Sequence, residues 1–166
     1  MPNDALAAVS AGRAGPESLW PYDIGKFTQK APDLAYQVAQ PHSLRFNKIP
    51  QAGSVLAARK ALLAGFPVNL GFRLRANAQG YHIDNLTVDG TYPWNPADPL
   101  TPDGHDVLLV GYDDVKQAFL FVNSWGTAWG VGIPGQDARG KGCAWMPYRM
   151  FESSGVADRA AVVDWS

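Results

Sequence analysis

Apolar residues in this chain fall into short runs broken by glycine and proline, with few long helical stripes. The clearest helix has Ser54 as N-cap, Val55 to Ala64 as its body and Gly65 just past its end. Val55, Leu56, Leu62 and Leu63 give it an apolar side, and Arg59 and Lys60 face water. A shorter helix is predicted over residues 3–11, capped by Asn3 and closed by Gly12 and Gly15-Pro16. Glu17 to Phe27 reads as an aromatic-rich loop, and residues 28–53, with Pro32, Pro41 and Pro50, as mostly extended loop. Phe66 to Leu74 is a strand candidate. The Asn-, Asp-, Gly- and Pro-dense stretch from Arg75 to Asp103 reads as a long surface excursion. Val107 to Tyr112 and Ala118 to Val122 read as two buried strands, with Asp113, Asp114 and Val115 between them as a tight turn. A Gly-rich loop follows from Gly126 to Gly142. Ala144 to Phe151 then offers another pairing segment, and Ala160 to Trp165 a last strand. Strands dominate the second half, and the pattern predicts an α+β fold.

Composition narrows this picture. At 166 residues the chain is long enough for one substantial core, and 46% hydrophobic with 17% charged residues argues against disorder. Fourteen basic residues against fifteen acidic ones, with no long basic run, exclude a phosphate-neutralising stripe, so no nucleic-acid partner is expected. No apolar stretch approaches the roughly 20 residues that span a bilayer, and Met1 to Val9 has neither the basic start nor the apolar core of a secretory leader. The chain reads as soluble, with no membrane partner, and a cytoplasmic location is favoured. Cys143 is the sole cysteine, which rules out an internal disulfide and a Cys-rich zinc site and reads as a buried structural residue. His42 and His82 lack metal-ligand spacing and read as surface or packing residues. Asp98, Asp103 and Asp106 read as solvated loop carboxylates. No metal and no cofactor are expected.

The hairpin supplies the sharpest geometric expectation. In an antiparallel pair the numbers of opposed residues add to a constant, and a turn centred on Asp114 sets that constant at 228. His105 then lies across from Asn123 on the same face, with Cβ atoms roughly 5 Å apart. An amide oxygen accepting from one ring N–H would fix the tautomer and aim the other nitrogen at a reacting partner. A single bulge would shift the pairing by one and turn one side chain away.

The residues around the pair carry a resemblance. Gly104 to Tyr112 (GHDVLLVGY) and Asn123 to Gly130 (NSWGTAWG) resemble the histidine and asparagine signatures of papain-like cysteine peptidases. GPESLWPYD at Gly15 to Asp23, FPVNLGF from Phe66 and WMPY at Trp145 to Tyr148 are similar to further family segments, in the expected order. The resemblance implies a papain-like right-hand domain: a twisted antiparallel half-barrel with one main helix over residues 28–166. Residues 1–27 would be a remnant of the helical left domain and the crossover. It also implies that His105 is the acid–base partner of a thiolate and that Asn123 orients its ring. Trp125 would cover their hydrogen bond, and Trp129 would stand on the leaving-group side. The Gly104 backbone would hold a substrate chain. Asp106 and Gly71 would border the pocket for the side chain two residues before the scissile bond, where Asp106 would favour a basic group.

One departure from the family matters most. No cysteine precedes Cys143, and residues 1–104 contain no match to the family's oxyanion-glutamine and cysteine string. Without a thiolate the acyl-transfer chemistry lacks its nucleophile. Cys143, in GCAWM, reads as the start of a core strand and not as a substitute. The expectation is therefore a cysteine-type peptidase in truncated or split form, inactive alone, acting on a peptide or protein. Its partner would be either a Cys-bearing complementary segment or a second copy. The alternative is a non-catalytic homologue that binds peptides or proteins.

Overall fold

The computed structural model describes residues 2–11, 15–39, 44–50, 53–132, 142–153 and 155–165. The chain divides into two compact units, Met1–Asn47 with Val162–Ser166, and Lys48–Ala161. The first unit contains helices α1 (Pro2–Ser10) and α2 (Asp33–Ala39), two single 3-10 turns, strand β1 (Leu44–Lys48) and the end of β7 (Val156–Trp165). Residues 28–53 thus hold a helix and a strand where extended loop is expected. Pro32 accounts for the helix, because it stands just before Asp33 and its carbonyl accepts from Ala35 N–H at 2.9 Å. Gly12 and His42 lie outside the described residues.

The second unit is built on α3 (Ser54–Leu63), β2 (Val68–Asn77), β3 (Gly80–Tyr81), β4 (Leu100–Asp113), β5 (Ala118–Val122), β6 (Cys143–Pro147) and α4 (Tyr148–Phe151). Its strands follow the order β7-β2-β4-β5-β6, each neighbouring pair antiparallel, with β3 folded back on β2. The carboxyl end of α3 closes as the sequence predicts. Gly65 takes a left-handed φ of 85°, its N–H reaches Leu62 O at 3.0 Å, and Phe66 N–H reaches Ala61 O at 2.9 Å. This is the paired capping pattern that glycine permits without a Cβ clash. The amino end differs: Gly53 at φ 67° is the N-cap, and the Ser54 hydroxyl is buried with no partner among the described residues. Ser54 and Ala58 form the buried face, while Leu56 and Leu63 are exposed. Small residues let this helix lie close to the sheet.

In β2 the alternation of Val68, Leu70, Phe72 and Leu74 points one apolar face inward. From Ala118 to Phe121 β5 shows no alternation because both its faces are covered there, and only Val122 at its end is exposed. Phe119 packs on Tyr148 and Phe151 of α4, with centroids 4.6 and 4.9 Å away, while Ala118 and Leu120 meet Cys143 and Trp145. The stretch between β2 and β4 is not a purely surface excursion, since His82, Ile83 and Tyr92 are buried. Arg75 fastens it by donating to the carbonyls of Pro96 and Asp98.

The β4–β5 hairpin departs from the expected register in a way that decides the site. Its turn is Asp114 to Gln117, with Gln117 at φ 53°, and Asp113 accepts from Val115 N–H at 2.8 Å and Lys116 N–H at 2.9 Å. Tyr148 donates to Asp114 at 2.8 Å, and Arg59 pairs with the same carboxylate, pinning the tip to α4 and α3. Pairing therefore begins at Asp113↔Ala118, a sum of 231, and not at 228. Between Gly111↔Leu120 and Leu109↔Phe121 the ladder shifts, leaving Val110 as an extra residue and a sum of 230 to Leu108↔Val122.

Candidate active site

His105 sits on β4, on the inward face shared with Val107 and Leu109, and its register partner across β2 is Phe72. Asn123 follows the last residue of β5, where its backbone N–H leaves the β4 ladder and donates to Gly142 O at 2.9 Å. Continuing the β4–β5 register of 230, Asn123 stands opposite Val107, two residues from His105 and on the same face. The pair is therefore a diagonal one, and not the direct opposition expected from the sequence. Diagonal neighbours lie roughly 7–8 Å apart, somewhat less at Cβ, within reach of an imidazole and an amide. Their side chains meet, with His105 Nε2 2.8 Å from Asn123 Oδ1.

A second contact fixes the chemistry of that bond. The Ser124 backbone N–H donates to the same Asn123 oxygen at 2.8 Å. A backbone amide can only donate, so the atom between the two nitrogens must be the carbonyl oxygen. That oxygen only accepts, and His105 Nε2 must carry the proton. The remaining ring nitrogen, Nδ1, is then the basic one in the neutral imidazole. Asn123 is buried, and its Nδ2 amide has no partner among the described residues.

Rings enclose the imidazole. Trp125 lies 5.1 Å from it, tilted 47°, and Trp129 meets Trp125 edge-on at 5.6 Å while packing on Phe121 at 5.9 Å. On the β2 side Phe72 stands at 90° to the imidazole, 6.1 Å between centroids. Two glycines shape the NSWGTAWG turn that carries the tryptophans. Gly126 and Gly130 have φ of 78° and 71°, and a Cβ on Gly130 would fall 2.1 Å from the Cys143 carbonyl oxygen. Trp129 O accepts from Gly142 N–H at 2.8 Å, closing the turn against the start of β6.

The flanking residues named from the sequence take the outer face of the same strands. Gly104 is exposed and pairs with Arg73; Asp106 is exposed and pairs with Gly71, which is buried. Asn69 donates to the Asp106 carboxylate at 2.9 Å. Asp98 accepts from His82 at 2.8 Å and Asp103 from the Tyr81 hydroxyl, so the three loop carboxylates have separate partners. His82, read as a surface or packing residue, is a buried one held by Asp98. Ser124 and Phe72 were not singled out from the sequence. The alternation of β2 marks Phe72 as inward, but only the register places it against His105.

Cys143 does not complete the pair. It opposes Val122 on β6, and Val122 opposes Leu108, so its side chain shares the Leu108 face of the sheet. His105, three residues from Leu108, projects from the other face. Burial raises the Cys143 thiol above its ordinary pKa, the opposite of the shift that activates a nucleophilic cysteine. Among the described residues there is thus a His–Asn pair and no Cys–His–Asn triad. No helix among them is long and apolar enough to cross a membrane.

No protein-family model matches the chain. An uncharacterized peptidase C1-like protein of Acanthamoeba polyphaga mimivirus is 27% identical over 148 residues, spanning 85% of this chain and 44% of that protein. Among solved structures, xylellain, a cysteine protease from Xylella fastidiosa, matches with a TM-score of 0.72 at 25% identity, over 98% of this chain and 60% of that one. The match carries the curled antiparallel half-barrel with its few helices. The chain spans roughly half the length of these relatives.

Proposed function

We propose, from the premise that this chain is a remote homologue of the papain-like (C1) cysteine peptidases, that it supplies the histidine–asparagine half of a peptide-hydrolysing site whose thiol comes from outside these residues. The observation that carries this reading is the His105–Asn123 hydrogen bond with its oxygen fixed by Ser124 N–H, because it leaves Nδ1 as the unprotonated nitrogen of the neutral ring. Residues 28–166 are read as the right-hand domain, and residues 1–27 as the end of the left-hand domain with its crossover.

In this reading a cysteine thiol gives its proton to His105 Nδ1, and the imidazolium stabilises the thiolate beside it. The thiolate attacks the substrate carbonyl carbon, forming a C–S bond. Nδ1 returns the proton to the departing amine, and a water molecule then cleaves the thioester, restoring the thiol. Asn123 holds the ring through both proton transfers. Trp125 shields their hydrogen bond from water, and Trp129 faces the leaving group. The Gly104 backbone pairs with the substrate chain. Asp106, across from Gly71, selects a basic side chain two residues before the scissile bond. With Cys143 on the opposite face, the chain alone does not hydrolyse peptides.

Mixing the pure chain with a separately made Cys-bearing left-hand portion of a papain-like peptidase tests the reading. Fluorogenic peptides with Arg or Lys at that second position should be cleaved by the mixture, by neither part alone, and not by a mixture containing His105→Ala. Turnover unchanged by His105→Ala would refute the assignment. Saturable peptide binding by the chain with no turnover in the mixture would replace it with a non-catalytic peptide-binding role.

A further inference from the structure

The imidazole of a proton-transferring histidine must be held in one rotamer as well as one tautomer, and the asparagine hydrogen bond secures only one edge of the ring. A single bond at Nε2 leaves the ring free to swing about that contact. What stops the swing has to be found on its flanks. Trp125 covers one flank, but it is 43% exposed and belongs to a loop. The other flank is built quite differently.

Phe72 stands there. It is the direct cross-strand partner of His105, it is 2% exposed, and its ring meets the imidazole edge to face at 90°. Phe72 is itself immobilised. Tyr92 packs edge-on against it, 6.1 Å away at 85°, and His82 packs on Tyr92 at 5.7 Å. The Tyr92 backbone N–H donates to Trp145 O at 2.8 Å, Trp145 N–H returns to Gly90 O at 2.9 Å, and His82 is tied to Asp98 at 2.8 Å. An unbroken row of rings therefore runs from the His82–Asp98 pair through Tyr92 and Phe72 to His105. All of it except the last ring is buried.

We propose that Phe72 is a positioning residue for His105: backed by Tyr92, its ring edge closes the rotamers in which Nδ1 would turn away from the site, so that the Asn123 hydrogen bond and the Phe72 contact together leave one orientation. This deepens the reading of His105 as the acid–base residue and rests on it for its functional meaning. The geometry stands without it. Edge-on ring pairs are favoured beyond the area they bury, enough to shift a rotamer population severalfold. A branched aliphatic side chain fills part of the same space without the flat edge that matches the imidazole.

The test is a side-chain NMR measurement on the chain as it stands, which needs no activity. In the unmodified protein the long-range 15N–1H pattern of His105 should show one tautomer, protonated at Nε2. Cross-relaxation should connect its ring protons to those of Phe72. In Phe72→Leu and Phe72→Met the ring-current shift of the His105 protons should collapse, and the Nδ1–H tautomer should rise severalfold. Leu109→Ala, a buried packing change on the same face of β4, should lower the melting temperature and leave both signals in place. Phe72 variants that lose stability but keep the single tautomer and the shift would overturn the proposal, since the ring would then be packing alone. Tautomer averaging in the unmodified protein, or no His105–Phe72 cross-relaxation, would overturn it even if every Phe72 variant failed to fold. Failure of peptide hydrolysis in the mixing experiment, with these NMR signatures intact, would strike the catalytic reading and not this one.

Discussion

His105 and Asn123 meet along a diagonal of the β4–β5 hairpin, and they share a face only because Val110 is bulged out of the ladder. Side chains alternate strictly along a strand, so an even register sum puts the two residues on one face and an odd sum on opposite faces. The hairpin starts at the odd sum of 231, and the bulge makes it 230. Asn123→Ala would leave His105 Nε2–H and Ser124 N–H without their shared acceptor. The expected loss is about 1–3 kcal/mol, read as a lower urea midpoint with an unchanged slope.

The two glycines of the tryptophan turn should respond differently to a methyl group. Both sit at positive φ, but Gly126 has open space where a Cβ would go, whereas Gly130 would drive it into the Cys143 carbonyl. Gly126→Ala should cost about 1–2 kcal/mol from backbone strain alone. Gly130→Ala should cost about 3 kcal/mol or more and displace Trp129. Thermal melts with tryptophan fluorescence as the second signal separate the two.

Leu108, Val110 and Val122 are each more than a third exposed, and Leu108 pairs directly with Val122. Contiguous exposed apolar surface is an association site or an aggregation liability. The isolated chain should self-associate as its concentration rises. The double variant Leu108→Ser, Val110→Thr should sediment as a monomer at concentrations where the parent does not. Equal sedimentation of the two would contradict this.

The pH dependence of stability should have two assignable limbs. The Lys116 ammonium, with the Thr87 hydroxyl, holds the Asp89 carboxyl well below its ordinary 3.8. A depressed acid stabilises the fold above its unfolded pKa, so this contribution is present above about pH 4 and fades as pH falls. Asp89→Asn should make the acid limb shallower. Burial pushes the Tyr92 hydroxyl from 10.0 up to about 12. Its contribution is intact below pH 10 and is lost as pH rises toward 12. Tyr92→Phe should flatten that limb. Urea midpoints measured across pH check both.

Much of the site was legible in the sequence because it depends on local order. β5 spans the same Ala118 to Val122 in both readings, Gly65 caps α3 as expected, and His105 and Asn123 bond as expected. The register was not legible. Turn length depends on Gln117 taking a positive φ and on Asp114 being claimed by Arg59 and Tyr148, contacts made across 55 and 34 residues. The sum of 228 predicts the correct face, though not the correct partner, because 228 and 230 are both even. The α2 helix and the burial of His82 and Tyr92 were hidden for a similar reason. Polar and proline-rich segments look like loop until the partners that bury them are known.

The most direct measurement asks whether this chain's histidine activates a cysteine it does not contain. A thiol-directed epoxide is added to the chain mixed with the Cys-bearing portion, and intact masses are read. The account predicts one adduct on the added portion with the parent chain, little with His105→Ala, and none on Cys143 in either mixture. Labelling of Cys143, or equal labelling of the added cysteine with and without the imidazole, would contradict it.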